Sequence, residues 1–171
     1  MQTEPAVIAT TPQPGHYSID PDRSRVTFVT RHLFGLGRVR GSFAIRGGTA
    51  DIADPIAASA INAEIETASF RTRNRQRDGS VLSPRFLDPA GHPVMTFQSG
   101  RIDGDALTGM LTVRGTTRPV TLTVTGCEVS HGSFTARATV RIDRTEFGIT
   151  AARGLAARYL DLTVEVQCTR N

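Results

Sequence analysis

The stretch SFTARATVRID, Ser133 to Asp143, alternates with period two over its whole length. Phe134, Ala136, Ala138, Val140 and Ile142 fall on one face, and Thr135, Arg137, Thr139, Arg141 and Asp143 on the other. Successive side chains of a β-strand point to opposite sides, so this pattern reads as a strand with one dry and one wet face. The same alternation recurs in RVTFVTRH (25–32), ASAINAEIET (58–67), VTLTVTGCEV (120–129) and YLDLTVEVQC (159–168). Half-wet strands are the mark of antiparallel sheets. Breaks carrying glycine separate them: GG at 47–48, DG at 103–104, RGTTRP at 114–119 and HG at 131–132. The spacing predicts a mainly β domain of eight to nine antiparallel strands, closed as a barrel or stacked as a sandwich. Two segments depart from it. Within 69–90, the runs SFRTRNRQRD and LSPRFLD read as short helical turns between two strands. Residues 144–157, RTEFGITAARGLAA, read as a turn or short helix before the last strand.

The chain has 171 residues, 39% of them hydrophobic, which is enough for one domain with a real core. Residues 1–15 read as a flexible N-terminal tail and 16–171 as the domain. The tail shows no early basic residue and no apolar run of signal length, so the expected location is the cytoplasm. No stretch reaches the ~20 apolar residues of a spanning helix. The net charge of +4 is carried by arginine, the residue suited to bidentate contact with carboxylate or phosphate. By strand parity Cys127 faces outward and Cys168 inward, which predicts two free thiols.

Chemistry-bearing motifs are sparse. His16, His32, His92 and His131 are scattered, no CxxC occurs, and no metal site is predicted. No nucleophile elbow, Walker loop or dinucleotide fingerprint is present. His32 ends an inward-facing run. It reads either as a polar group at the end of an apolar pocket or as a hydrogen-bonded core histidine. The run RTRNRQRD, 71–78, has Phe70 as its nearest aromatic, so it lacks the interleaved stacking residues of a nucleic-acid grip, and no nucleic-acid partner is expected. If the run is helical, its charge wraps around the helix in place of forming one stripe.

Four blocks, in order, resemble the YceI-like, polyisoprenoid-binding family of lipocalin-like proteins. In YSIDPDRSRVTFVTRHLFGLGRVRGSF (17–43) the matching residues are Tyr17, Ile19, Asp20, Ser24, Val26, Phe28, His32, Val39, Gly41 and Phe43. In RDGSVLSPRFLDPAGHPVMTFQS (77–99) they are Arg77, Asp78, Ser83, Phe86, Asp88, Pro93, Phe97 and Ser99. LTGMLTVRGTTRPVTL (107–122) and RTEFGI (144–149) complete the set. Two departures stand out: Ser80 replaces a histidine common in the family, and ITAARGLAARY follows the last motif where polar and aromatic residues are usual.

The resemblance implies a single elongated lipocalin-like barrel, with a short helical insert near residues 69–90, that holds a long apolar chain in an internal tunnel. The residues assigned to the tunnel are Phe28, Phe43, Ile61, Ile65, Phe86, Phe97, Leu111, Val113, Phe134 and Ala136. The polar candidates for a head group or the tunnel end are His32, Arg77 and Asp78, with Arg77 leading for an anionic head and Asp78 fixing its pose. No cofactor is expected beyond the lipid itself, an isoprenoid or fatty-acid derivative. Further expected partners are an anionic membrane approached by Arg71, Arg73 and Arg75, and a second copy paired through exposed edge strands. The leading function is carriage or sequestration of a long-chain amphipathic lipid without catalysis. The alternatives are an enzyme using His32 or Asp78 on a lipid-like or quinone-like molecule, and a structural or stress-response barrel packed solid.

Overall fold

In the computed structural model the dry faces of all these strands turn toward one axis. The structure describes residues 11–32, 37–151 and 157–171, without the side chain of His32. The strands are β1 (Gly15–Ile19), β2 (Arg25–His32), β3 (Gly37–Ile52), β4 (Ala60–Glu66), β5 (Val94–Asp103), β6 (Ala106–Val113), β7 (Thr116–Ser130), β8 (Ser133–Asp143) and β9 (Tyr159–Arg170). All pair antiparallel, in the order β1-β3-β2-β9-β8-β7-β6-β5-β4, and a β3–β4 ladder closes the ring. Strands β2 to β9 form an eight-stranded barrel. Strand β1 is an extra piece that shares the place of β2 between β3 and β9.

The β1–β2 break has a local cause. Asp20 caps a 3-10 turn over Pro21–Arg23 by accepting from the Asp22 N–H at 2.9 Å. Across the break, Gln167 of β9 keeps both backbone groups satisfied. Its N–H donates to Ser24 Oγ at 3.0 Å, and its carbonyl accepts from the Asp20 N–H at 2.8 Å. Phe28 lies opposite Gly41 in the ladder, and a β-carbon at Gly41 would stand 2.2 Å from the Phe28 ring. That close approach accounts for glycine at position 41, across from the Phe28 ring. β6 and β7 are joined by a two-residue turn in which Arg114 (φ 50°) and Gly115 (φ 76°) are both left-handed. The break read over 114–119 is therefore only two residues long, and Pro119 lies inside β7.

Proline tolerates that place because β7 has no partner beside it on the β8 side. The β7–β8 ladder runs from Ser130↔Ser133 to Thr123↔Thr139 and stops, although β8 continues to Asp143. The two strands diverge toward the end of the barrel that carries the insert. A contact across the gap runs from Arg118 Nε to the Glu146 carbonyl, 3.0 Å.

Several sequence-based expectations are corrected. Between Val124 and Gly126 a bulge shifts the register, so Cys127 sits opposite Ala136, half-buried against the core and not on the outer face. Both thiols are free. The run RTRNRQRD is extended in its first half: Arg71 bridges Ser42 through two backbone hydrogen bonds of 2.9 and 3.1 Å. Helix α1 spans only Arg75–Val81, capped by Asn74, whose side chain accepts from the Arg77 N–H at 3.0 Å. Closure gives each barrel strand a neighbour on both sides, so the open edges among the described residues are partial ones, 116–122 of β7 toward β8, 140–143 of β8 toward β7 and 125–130 of β7 toward β6. In the 144–157 segment a 3-10 turn covers Arg144–Phe147, and residues 152–156 lie outside the described residues. Residues 1–10 of the expected tail do so too. Its last part is tied to the barrel: the carbonyls of Gln13 and Pro14 accept from Tyr17 Oη (2.8 Å) and Arg170 Nη2 (3.0 Å), and β1 begins at Gly15.

Candidate functional site

The barrel interior is hollow. Ile61, Ala63, Ile65, Leu162, Val164 and Val166 point inward yet keep partial accessibility, because they border a cavity of about 240 Å³. Its lining is apolar apart from Arg137 and Arg144. Alanines on inward positions, Ala63, Ala136 and Ala138, make the room, while the strands' larger residues form the walls. At one end the cavity is stopped by Phe134 and Cys168. Behind them the Tyr17 ring meets Phe134 edge-on, centroids 4.9 Å apart.

At the other end the cavity leads into a second chamber of about 820 Å³ beneath the insert. Phe43, Leu87, Arg144, Ile149 and Leu160 line both and form the neck. One wall of the outer chamber is an aromatic cluster. Phe70 stacks on Phe28 at 5.4 Å and meets Phe43 edge-on at 5.4 Å. The facing wall comes from the insert: Gln76, Arg77, Gly79, Ser80, Ser83, Arg85 and Phe86. The outer chamber thus mixes aromatic surface with guanidinium and hydroxyl groups, while the inner one offers almost no polar atom.

All ten residues assigned to the tunnel border these spaces. Ile61, Ile65, Phe97, Leu111, Val113, Phe134 and Ala136 line the inner cavity, Phe43 lines both chambers, and Phe28 and Phe86 line the outer one. Among the polar candidates, Arg77 borders the outer chamber and forms no ion pair among the described residues. Its Nη1 donates to Thr72 Oγ1 at a long 3.5 Å. Asp78 does not hold Arg77. Its Oδ1 instead accepts from the Thr72 N–H (2.9 Å) and the Thr72 hydroxyl (2.6 Å). The backbone of His32 pairs with Gly37 at the insert end, but its side chain lies outside the described residues. Ser80, in the place of the family's histidine, faces the outer chamber and donates to the Gln76 carbonyl at 3.1 Å.

Arg144 was not singled out by the sequence reading, although it opens the RTEFGI block. It is buried at the neck. Its Nε donates to the Ala157 carbonyl at 2.7 Å, and its Nη1 to the carbonyls of Ile149 and Ala151 at 2.8 and 2.9 Å. Its guanidinium lies 5.8 Å from the Phe86 ring centroid. One side chain therefore ties the segment before β9 to the insert. At the cavity floor burial, helped by the nearby Cys127, pushes the Cys168 thiol up to about 12.

A sequence model of the YceI-like domain matches residues 17–169. The chain belongs to the YceI-like family. It is 34% identical to YceI of Escherichia coli O157:H7 over 166 residues, covering 88% of this chain and 85% of that protein. The barrel superposes on BcnA of Burkholderia cenocepacia with a TM-score of 0.76 at 21% identity, covering 88% of this chain and 99% of BcnA. It also superposes on a polyisoprenoid-binding domain of Saccharophagus degradans, TM-score 0.68 at 14% identity, covering 91% and 98% of the two chains. The YceI-like barrel, with one short α-helix among the described residues, is thus the fold of this chain.

Proposed function

We propose that this YceI-like barrel binds a long-chain amphipathic lipid, a polyisoprenoid or fatty-acid derivative, and carries or sequesters it without turning it over. The observation that carries this reading is the pairing of an almost wholly apolar inner cavity with a larger, mixed outer chamber at one end. A void lined by apolar groups favours an apolar occupant. Each buried CH₂ contributes ~0.8 kcal/mol, so a chain needs few polar contacts to bind tightly. The tail lies in the inner cavity, and the head lies against the insert. Arg77 and Arg85, both bordering the outer chamber and without an ion-pair partner among the described residues, select an anionic head. Membership of the family and the polyisoprenoid binding of the Saccharophagus relative support the ligand class.

The test is denaturing extraction and mass spectrometry of the protein purified from its own host. A long-chain lipid in stoichiometric amount is expected; its repeated absence would favour a barrel that holds no ligand. The head-group assignment has its own test. Arg77→Ala is expected to weaken a pyrophosphate-headed chain more than an uncharged one, and equal effects on both would remove Arg77 from that role.

A further inference from the structure

We infer that the insert end of the barrel is a docking surface for anionic phospholipid bilayers, with the mouth of the outer chamber set against the membrane. The inference rests on where unpaired charge lies and stands apart from the ligand reading. Arg71, Arg73, Arg75 and Arg85 are all exposed on the insert, and none of them forms an ion pair among the described residues. Arg46–Glu64 and Arg137–Glu165 pair farther along the barrel, and at the insert end Arg141 and Arg158 are paired with Asp161 and Asp143, which leaves the insert's own arginines as the unpaired charge there. At the opposite end the exposed acids Asp22, Asp51, Asp54, Asp103 and Asp105 stand among the exposed arginines Arg23, Arg101 and Arg170. The insert therefore carries a cluster of unpaired positive charge, whereas the floor mixes both signs. An anionic surface orients such a body end-on, mouth first.

A second observation points to a bilayer. Tyr159, at the insert end of β9, is 46% exposed, one of the few large hydrophobic residues so placed among those described. The guanidinium carbons of Arg141 and Arg158 lie 5.7 and 5.3 Å from its ring centroid. A ring with a polar tip, flanked by arginines, is a composition that settles at the head-group layer of a membrane. The same ring is poorly placed to stack on a base, because cations already lie against it.

The test uses full-length protein stripped of lipid, sedimented with vesicles of phosphatidylcholine alone or with added phosphatidylglycerol. Binding is expected only to the anionic vesicles, and it is expected to fall as salt is raised. Replacing Arg71, Arg73 and Arg75 together by Ser is expected to weaken it by about a hundredfold, at roughly tenfold or less per arginine. The matching triple Lys variant is expected to retain it. Arg71 uses only its backbone in the bridge to Ser42, so the Ser variant keeps that contact, and its circular dichroism should match the parent. Equal binding to neutral and anionic vesicles would overturn the inference, as would unchanged binding by the Ser variant. Displacement of the protein from the vesicles by single-stranded RNA, with loss of RNA binding in the same variant, would reassign the surface to nucleic acid. Because the readout is vesicle binding by empty protein, failure here leaves the lipid-extraction result standing, and the reverse holds too.

Discussion

Asp78 Oδ1 takes two hydrogen bonds from one residue, Thr72: the N–H at 2.9 Å and the hydroxyl at 2.6 Å. This pair fastens the first turn of α1 to the extended segment that bridges β3. Thr72 is buried, so removing the carboxylate strands its N–H and leaves its hydroxyl only the long 3.5 Å bond to the Asn74 carbonyl. Asp78→Ala is expected to cost about 1–3 kcal/mol in urea unfolding. It is also expected to speed amide exchange across the insert while the barrel strands keep their protection. Unchanged exchange in 70–90 would show that other contacts hold the insert.

Ala136 faces the inner cavity from the middle of β8, between Cys127 of β7 and Val166 of β9. A larger apolar side chain there occupies the void that a lipid tail would need. Ala136→Leu is expected to leave thermal stability within about 1.5 kcal/mol of the parent, since the added carbons enter empty space. Binding of a fluorescent long-chain fatty acid is expected to fall at least tenfold. Full binding by this variant would place the tail elsewhere.

Arg144 donates to three carbonyls at the neck, those of Ile149, Ala151 and Ala157. Arg144→Leu keeps an apolar stem at the neck and removes every donor. The expected loss is about 3 kcal/mol, the scale of stranding several buried acceptors. Limited proteolysis is expected to cut the segment before β9 first.

Cys168 is pushed up to about 12, chiefly by burial. At pH 8 its thiolate fraction is on the order of one in ten thousand. The folded protein is expected to leave Cys168 unlabelled by a thiol reagent while urea exposes both cysteines to it, as peptide mapping would report. Burial, with the Glu128 charge, also raises Cys127, so its labelling in the folded state is expected to be slow.

The hydrogen bond from Arg141 holds the Asp161 carboxyl below its ordinary value. A depressed carboxylate contributes stability that is present above the unfolded value of ~3.9 and is lost as pH falls through the folded one. Melting curves taken from pH 6 down to pH 2 are expected to show this loss, and Asp161→Asn is expected to flatten that part of the profile. An unaltered profile would assign the acid sensitivity to other carboxylates.

Strand parity put Phe134, Ala136, Ile61 and Ile65 on the face that lines the cavity, because period two survives wherever the ladder is regular, while Phe97 and Leu111 were assigned with the resemblance. It failed at Cys127 because a bulge leaves no mark in the alternation until the partner strand is known. It also failed to isolate Arg144. An arginine in RTEFGI reads as surface charge until the carbonyls of residues 149, 151 and 157 come round to meet it. The Asp78–Arg77 pairing was inferred from adjacency, but neighbours in a helix point apart, and the carboxylate turned to Thr72. The basic rim of Arg71, Arg73 and Arg75 was readable as charge. That it lies on the insert that walls the outer chamber required the folded barrel.

The β7–β8 ladder stops at Thr123↔Thr139, and Pro119 could not have donated a bond beyond it. The barrel is therefore a sleeve left unbuttoned at its cuff. Widening the mouth there breaks no ladder bond between these two strands, whereas at the floor the same pair is bonded down to Ser130↔Ser133. Along this one seam the tube is a closed gauge beside Phe134 and an open collar beneath the insert. Amides of residues 116–122 that face the seam are expected to exchange faster than those of 123–130, with ligand slowing the first group most.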